Sequence, residues 1–336
     1  MRWVWFWGVV AATLVAGCQA LSYYTQAIGG HLEVMARARP LGEVIADPAT
    51  GAELRQRLET ARRIREFAVR RLALPDNGSY LAYADLERPY AVWNVFAAPE
   101  FSVEPKKECF PFAGCVSYRG FYSEDEARRH AHKLRAGGYD VYVGGVPAYS
   151  TLGWFDDPLL STFIGYSDAQ LARLVFHELA HQTVYARGDT TFNESFAVVV
   201  EEEGVRRWLE FENRSSELAA FRAVQARKRE FAARVAETRE RLAAAYREGL
   251  PREATLERKR AELERLRAAY PALPAGANNA FLASIAVYTE LVPAFERLLA
   301  DSGNLEGFYA EVRKLAAAAK AERDAYFTKA GYRRSS

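Results

Sequence analysis

The feature that most constrains this chain is the run Leu174-Val-Phe-His177-Glu178-Leu-Ala-His181-Gln182. The residues around His177, Glu178 and His181 are uncharged, which predicts a buried helix. On a helix, positions i and i+4 stand one above the other on the same face. His177 and His181 can therefore offer two imidazole nitrogens to one metal ion, with the carboxylate of Glu178 beside them to take a proton from water. Such a centre needs a third protein ligand and a fourth position left for solvent.

The predicted helix opens at Ser167-Asp168 and runs to about Tyr185, where Gly188-Asp189-Thr-Thr191 breaks the chain. A second helix begins near Asn193 and continues to about Glu210. The gap is just long enough for the chain to turn and come back antiparallel, so that Glu194 faces the two imidazoles. Glu194 is the expected third ligand of one zinc ion, with Glu201, two turns later on the same face, and Glu202 as rivals. If Glu194 binds the metal, Glu201 is left to accept the second N–H of a ligating histidine. His130 and His132 are two apart on a predicted helix, face different ways and make poor co-ligands; both are expected to be solvated.

The chain begins Met1-Arg2, followed by an apolar run from Trp3 to Val15 and then Ala16-Gly17-Cys18. This run is too short for a comfortable membrane span and reads as a secretory signal. Leu14-Val-Ala-Gly-Cys18 resembles the lipobox of bacterial lipoproteins, which implies removal of residues 1–17 and lipidation of Cys18. The alternative is an uncleaved anchor. Both place the body of the chain in the bacterial envelope, facing the periplasm and tethered to membrane. Gln19, where inner-membrane lipoproteins of enteric bacteria carry Asp, favours the outer membrane. In an oxidising compartment Cys109 and Cys115, with Pro and Gly between them, read as a short-loop disulfide, the alternative being two buried thiols.

The 336 residues are 50% hydrophobic and 26% charged with a net charge of +2, an ordinary globular balance that gives nucleic acid no purchase. Residues 18–79 read as an N-terminal helical segment, with helices at 21–39 and 50–72. Residues 80–212 hold a small α/β unit, with strands near 90–96, 116–122 and 139–143 and a helix capped by Ser123, followed by the metal-site helices. Residues 213–270 read as a long helical hairpin with solvated faces, a candidate surface for a protein partner. Residues 271–336 add C-terminal helices, one from Asn279 to Leu299 and one from Leu305 to Tyr326. The expected class is α+β and mostly helical.

Asn193-Glu194-Ser-Phe-Ala197 resembles the glutamate motif of the gluzincin metallopeptidases. Together with the lipobox, Cys109-Phe-Pro-x-x-Gly-Cys115, Tyr118-Arg-Gly120, Ala148-Tyr-Ser-Thr-Leu-Gly-Trp154 and Asp157-Pro158, it makes the chain similar to a bacterial family of zinc-dependent lipoproteins named as aminopeptidases. The resemblance covers nearly the whole chain. It implies a zincin-like core and hydrolysis of peptides by a zinc-activated water, with Glu178 as general base. Where thermolysin-like enzymes carry an Asp four residues after the ligand Glu, this chain has Val198, which again points to Glu201 as substitute. Related peptidases stabilise the oxyanion with a Tyr or His downstream of the glutamate helix, and Tyr288 is the candidate here. Gly144 to Ser150 could offer a strand edge to an extended peptide, with Tyr149 and Trp154 lining the cleft. No residue stands out for holding a substrate ammonium; Asp156 and Asp157 are named only as guesses. The rival function is a non-catalytic zinc-binding scaffold or envelope-assembly factor, against which the intact Glu178 counts.

Overall fold

Val92–Pro99 (β3) is the central strand of the main sheet, and its sequence suits a strand covered on both faces. Alternate side chains of a strand point to opposite faces. Trp93, Val95 and Ala97 pack with Ala127 and Ala131 of helix α4 (Glu124–Ala136), while Phe96 and Ala98 pack with Ala280 and Val287 of helix α10 (Asn279–Thr289). β3 pairs antiparallel with β6 (Arg119–Phe121) on one side and with β7 (Tyr139–Val146) on the other. Ser123 caps α4 through its hydroxyl, which accepts from the Glu126 amide.

The computed structural model describes residues 25–110 and 114–329; the apolar leader and Cys18 lie outside these residues. The chain opens with helix α1, described over 25–37, then β1 (Arg39–Pro40), α2 (Leu41–Ala46) and α3 (Ala52–Leu72). β1, β2 (Ala82–Ala84) and β8 (Leu159–Leu160) form a second small sheet, antiparallel then parallel. β4 (Glu108–Phe110) and β5 (Gly114–Val116) form a two-stranded ribbon closed by the Cys109–Cys115 disulfide. The single strand expected over 116–122 is therefore two strands, β5 and β6, interrupted at Ser117-Tyr118.

After the short α5 (Ser161–Ile164) come the two metal-motif helices, α6 (Asp168–Thr183) and α7 (Thr190–Phe211). Both are apolar on more than one face because they lie in the largest core. There α3 and the C-terminal helices α11 (Val292–Ser302), α12 (Leu305–Ala317) and α13 (Lys320–Lys329) surround them. Gly204 of α7 marks the closest approach: a Cβ there would sit 2.6 Å from the Phe176 ring of α6 and 2.9 Å from Leu72 of α3. The two C-terminal helices read from the sequence are four. Pro293 starts α11 afresh after Glu290-Leu291, and Ala318 leaves helical geometry between α12 and α13.

The helical hairpin is α8 (Ser215–Arg247) and α9 (Arg252–Ala269). It does not stand away from the body. Val235, Leu242 and Leu266 pack with Val103, Phe281 and Leu282. Lys259 pairs with Asp140 at 2.7 Å and donates to the Glu100 carbonyl at 2.9 Å, so the outer faces alone are solvated.

Candidate metal centre

α6 presents His177 and His181 one turn apart, and α7 returns antiparallel to meet them. The turn between is held by Asn193, whose Nδ2 donates to the Ala186 carbonyl at 2.9 Å and whose Oδ1 accepts the Ala186 amide at 2.7 Å. Asp189 caps α7 by accepting the Phe192 amide at 3.3 Å. With the turn fixed, the His177 Nε2, His181 Nε2 and Glu194 Oε2 atoms converge, separated by 3.2 Å (His177–His181), 3.2 Å (His177–Glu194) and 3.4 Å (His181–Glu194). All three residues are buried, and together they could hold a metal ion. With both imidazoles neutral, two nitrogen lone pairs and a carboxylate oxygen pointed at one spot are a donor set that suits a cation.

Glu201 is in the place of the missing second acceptor. Its Oε2 lies 2.8 Å from His177 Nδ1, and Arg173 Nη1 donates to both of its oxygens at 2.9 and 3.0 Å. The Arg173–Glu201–His177 chain fixes the imidazole so that Nε2 turns to the ligand cluster. Glu202, the other rival, points away and accepts from Gln225 at 2.8 Å. Arg173 was not singled out in the sequence. Its signal was there: it sits four residues before His177, on the same helix face.

Burial works against charge at every one of these groups. It would push the His177 imidazole down, but hydrogen bonds to Glu194 and Glu201 outweigh it and raise the group to about 10. Burial would raise Glu194, and the two imidazoles overcome it and lower the carboxyl. Glu178 goes the other way. Its desolvation exceeds the help of the two imidazoles, so its carboxyl is raised from the ordinary value.

These groups open on a cavity of about 590 Å³. Three tyrosines lie on its wall near Glu194. Tyr118 donates to Glu194 Oε1 at 3.3 Å, held there because the Ser117 amide donates to Thr190 Oγ1 of α7 at 3.1 Å. Tyr185 follows the end of α6. Tyr288 belongs to α10, its ring 6.4 Å from that of His177. The Leu291 amide, just past α10, donates to Ser195 Oγ of α7 at 3.2 Å and so keeps Tyr288 at this wall. Burial, followed by the charge of Glu194, raises all three hydroxyls, so they remain O–H donors. Tyr118 was quoted in the sequence without a role, and Tyr185 was taken only as a helix end.

The other sequence candidates separate. Tyr149 lines the cavity, and its hydroxyl meets His31 Nδ1 of α1 at 3.0 Å. Trp154 does not line it and is 77% exposed. Asp156 is exposed beside Gly78. Asp157 is buried outside the cavity wall, accepting the Thr151 amide at 2.9 Å, and its carboxyl is pushed up to about 7 by burial. His130, expected in solvent, is partly buried against Phe121 with rings 5.3 Å apart, and burial lowers it to about 4. Another wall was not foreseen. α1 lays Ala27 on the cavity, and Gln26 brackets β6 by donating to the Gly120 carbonyl at 3.3 Å and accepting the Tyr122 amide at 3.2 Å. Gly30 makes this approach feasible, since a Cβ there would fall 2.2 Å from the Tyr122 ring.

A family model described as "putative aminopeptidase" matches residues 22–327, and the chain belongs to that family. No curated protein and no solved structure matches it. Membership supports a peptidase.

Proposed function

We propose that this member of the family is a zinc-dependent metallopeptidase of the gluzincin type, with His177, His181 and Glu194 as ligands of one ion and Glu178 as general base. The observation that carries the reading is the spacing of the three donor atoms, 3.2, 3.2 and 3.4 Å. A tetrahedral ion about 2.0–2.1 Å from each ligand has ligand edges of about 3.3–3.4 Å, and a His₂Glu set with one open position is that of catalytic zinc. When bound, zinc supplies Lewis acidity and lowers the pKa of water.

The chain's own residues do the rest. Glu178, buried at the cavity wall, takes the proton of the attacking water and delivers it to the leaving amine. Glu201 and Arg173 hold the His177 ring in place. Tyr288, with Tyr118 and Tyr185 nearby, keeps an O–H donor for the developing oxyanion. The surrounding apolar wall excludes bulk water and strengthens each of these interactions.

The test is Glu178→Gln. The variant keeps the metal at wild-type stoichiometry and loses peptide hydrolysis by about 100-fold or more. Metal-loaded wild type that cleaves no peptide in a diverse library would sink the reading in favour of a scaffold. That rival has less support here, because the hairpin offered for gripping a partner spends its apolar residues on Val103, Phe281 and Leu282 of its own chain.

The leader and Cys18 support a lipid-anchored envelope protein facing the periplasm, at the outer membrane in preference to the inner. The first described helix is consistent with this, since it exposes Ile28 (59%) and Leu32 (57%) on one face. None of the described helices is long and apolar enough to cross a membrane.

A further inference from the structure

Between Arg2 and Glu33 the sequence holds no Lys, Arg, Asp or Glu. The first two described turns of helix α1 therefore set no such charge on the face they leave uncovered. That face is a stripe at helical spacing: Thr25, Ile28, Gly29, Leu32 and Ala36 are exposed, while His31 and Val34 turn inward. A Cβ added at Gly29, between Ile28 and Leu32, would meet no described atom within 4 Å. A helix that faces water ordinarily places polar and charged residues there.

A second apolar surface adjoins this one. The loop after Tyr149 exposes Trp154 (77%) and Phe155 (52%). Its outward course is held in place: Thr151 Oγ1 accepts the Phe155 amide at 3.2 Å and donates to the Phe155 carbonyl at 3.1 Å, and the Thr151 amide donates to buried Asp157 at 2.9 Å. The Phe155 ring stands 4.5 Å from that of His31, whose neighbours at i−3 and i+1 are Ile28 and Leu32. Helix and loop thus meet beside the stripe.

Where the chain leads from α1 selects the occupant. The helix is described from Thr25, seven residues after Cys18, and seven residues span at most about 25 Å however they run. Residues 19–24, Gln-Ala-Leu-Ser-Tyr-Tyr, hold two aromatics and no charge. An anchor at Cys18 keeps the apolar face within reach of the bilayer, a nearness that a second copy of the chain would not require. No described helix is long and apolar enough to cross a membrane, so the fit is to one that lies on it, its apolar side about 5–10 Å into the headgroup boundary where Trp is enriched.

Resting on the envelope reading, we propose that Ile28, Leu32, Trp154 and Phe155 form one membrane-docking face that seats in the headgroup region beside the anchor. Docking fixes the orientation of the body, which a tether alone leaves free. Ala27 and Leu152, on the same helix and loop, line the cavity, so two walls of the site are held next to the bilayer.

The test uses the full chain, purified from membranes and reconstituted into vesicles of phosphatidylethanolamine and phosphatidylglycerol, with or without acyl chains brominated near the headgroup. Trp93 and Trp208 are buried, and the Trp154 signal is read as the difference between the chain and its Trp154→Phe variant. Brominated lipid should quench that signal by roughly half or more, and Ile28→Gln/Leu32→Gln should remove most of the quenching with the melting temperature unchanged. Vesicle-bound chain whose Trp154 stays unquenched overturns the proposal and leaves the envelope reading standing. Quenching that the double variant retains in full overturns the joint face of helix and loop. If neither brominated lipid nor aqueous iodide reaches Trp154, a second copy or the chain's own apolar run covers the face, and the proposal falls. A chain that does not float with the vesicles overturns the envelope reading and the proposal together.

Discussion

Glu201→Gln removes one charge from the Arg173–Glu201–His177 chain while keeping its shape. The wild-type carboxylate accepts both the His177 ring and two contacts from Arg173, all at 2.8–3.0 Å. The amide oxygen can still take the contacts that Oε2 makes with His177 and Arg173, but the NH2 group in place of Oε1 sets donor against donor at Arg173 Nη1, and Arg173 loses its counter-ion. Breaking a buried pair by removing one partner costs about 3–5 kcal/mol. Arg173 keeps 23% of its side chain exposed, which allows some water to compensate and places the expected loss at about 2–3 kcal/mol. With an unfolding entropy of about 2.1 cal/mol/K per residue, a chain of this size loses roughly 3–4 °C in Tm. Independently, loss of the partner that orients a ligating histidine lowers metal affinity by about 10- to 100-fold. Calorimetric unfolding without metal and competition against a zinc chelator read the two effects separately. In the double variant Arg173→Met/Glu201→Gln the stability loss should be smaller than the two single losses combined, because the orphaned charge is gone. A Tm within about 1 °C of wild type together with affinity changed less than about 2-fold would refute the positioning role argued for Glu201.

Asn193→Ala deletes both bonds to Ala186 that close the turn between the metal helices; about 2–4 kcal/mol of stability and a weaker zinc titration are expected, and unchanged values for both would break the link from turn to site. Gly204→Ala, which adds helix propensity on an exposed helix, should here destabilise by about 1–3 kcal/mol in urea unfolding, because the new methyl meets the Phe176 ring and Leu72. His130 carries a pH signature. Its folded-state value near 4 lies below that of free imidazole, so the unfolded chain binds the proton first, and stability present above about pH 6.5 declines as pH falls towards 4. His130→Leu should flatten that decline by roughly 1 kcal/mol between pH 7 and 4.5, scaled down for partial exposure; parallel stability curves for the two proteins would contradict it.

The metal helices were legible in the sequence because a helix makes spacing into geometry. His177, Glu178 and His181 sit on one turn, and the short connection to Asn193 leaves α7 few ways to return. Strand β3 was legible for the same kind of reason, its aromatic and β-branched residues fitting a covered sheet. What was not legible depended on contacts distant in sequence. Nothing local says that Ser117 pairs with Thr190 and thereby aims Tyr118 at Glu194, or that Lys259 reaches Asp140 and brings the hairpin down onto the sheet. Trp154 looked like a cleft residue because it lies in an aromatic loop close in sequence to Tyr149. Leu152 takes a left-handed conformation (φ 58°) and Gly153 follows it (φ 80°), so the loop turns outward before Trp154 is reached. His130 looked solvated among charged neighbours, but the period of α4 turns it towards Phe121.

Helix α1 follows the apolar run in sequence and is at the same time part of the body that encloses the cavity. Ala27 faces the cavity, Gln26 holds β6 through both of its amide atoms, and His31 meets Tyr149. If the apolar run is the leader proposed above, the boundary between leader and body therefore does not fall at a neutral linker. A shortened chain that starts beyond residue 30 lacks one wall of the chamber. Activity lost by such a chain would be evidence about the chamber, and would say nothing of what attachment to a membrane contributes.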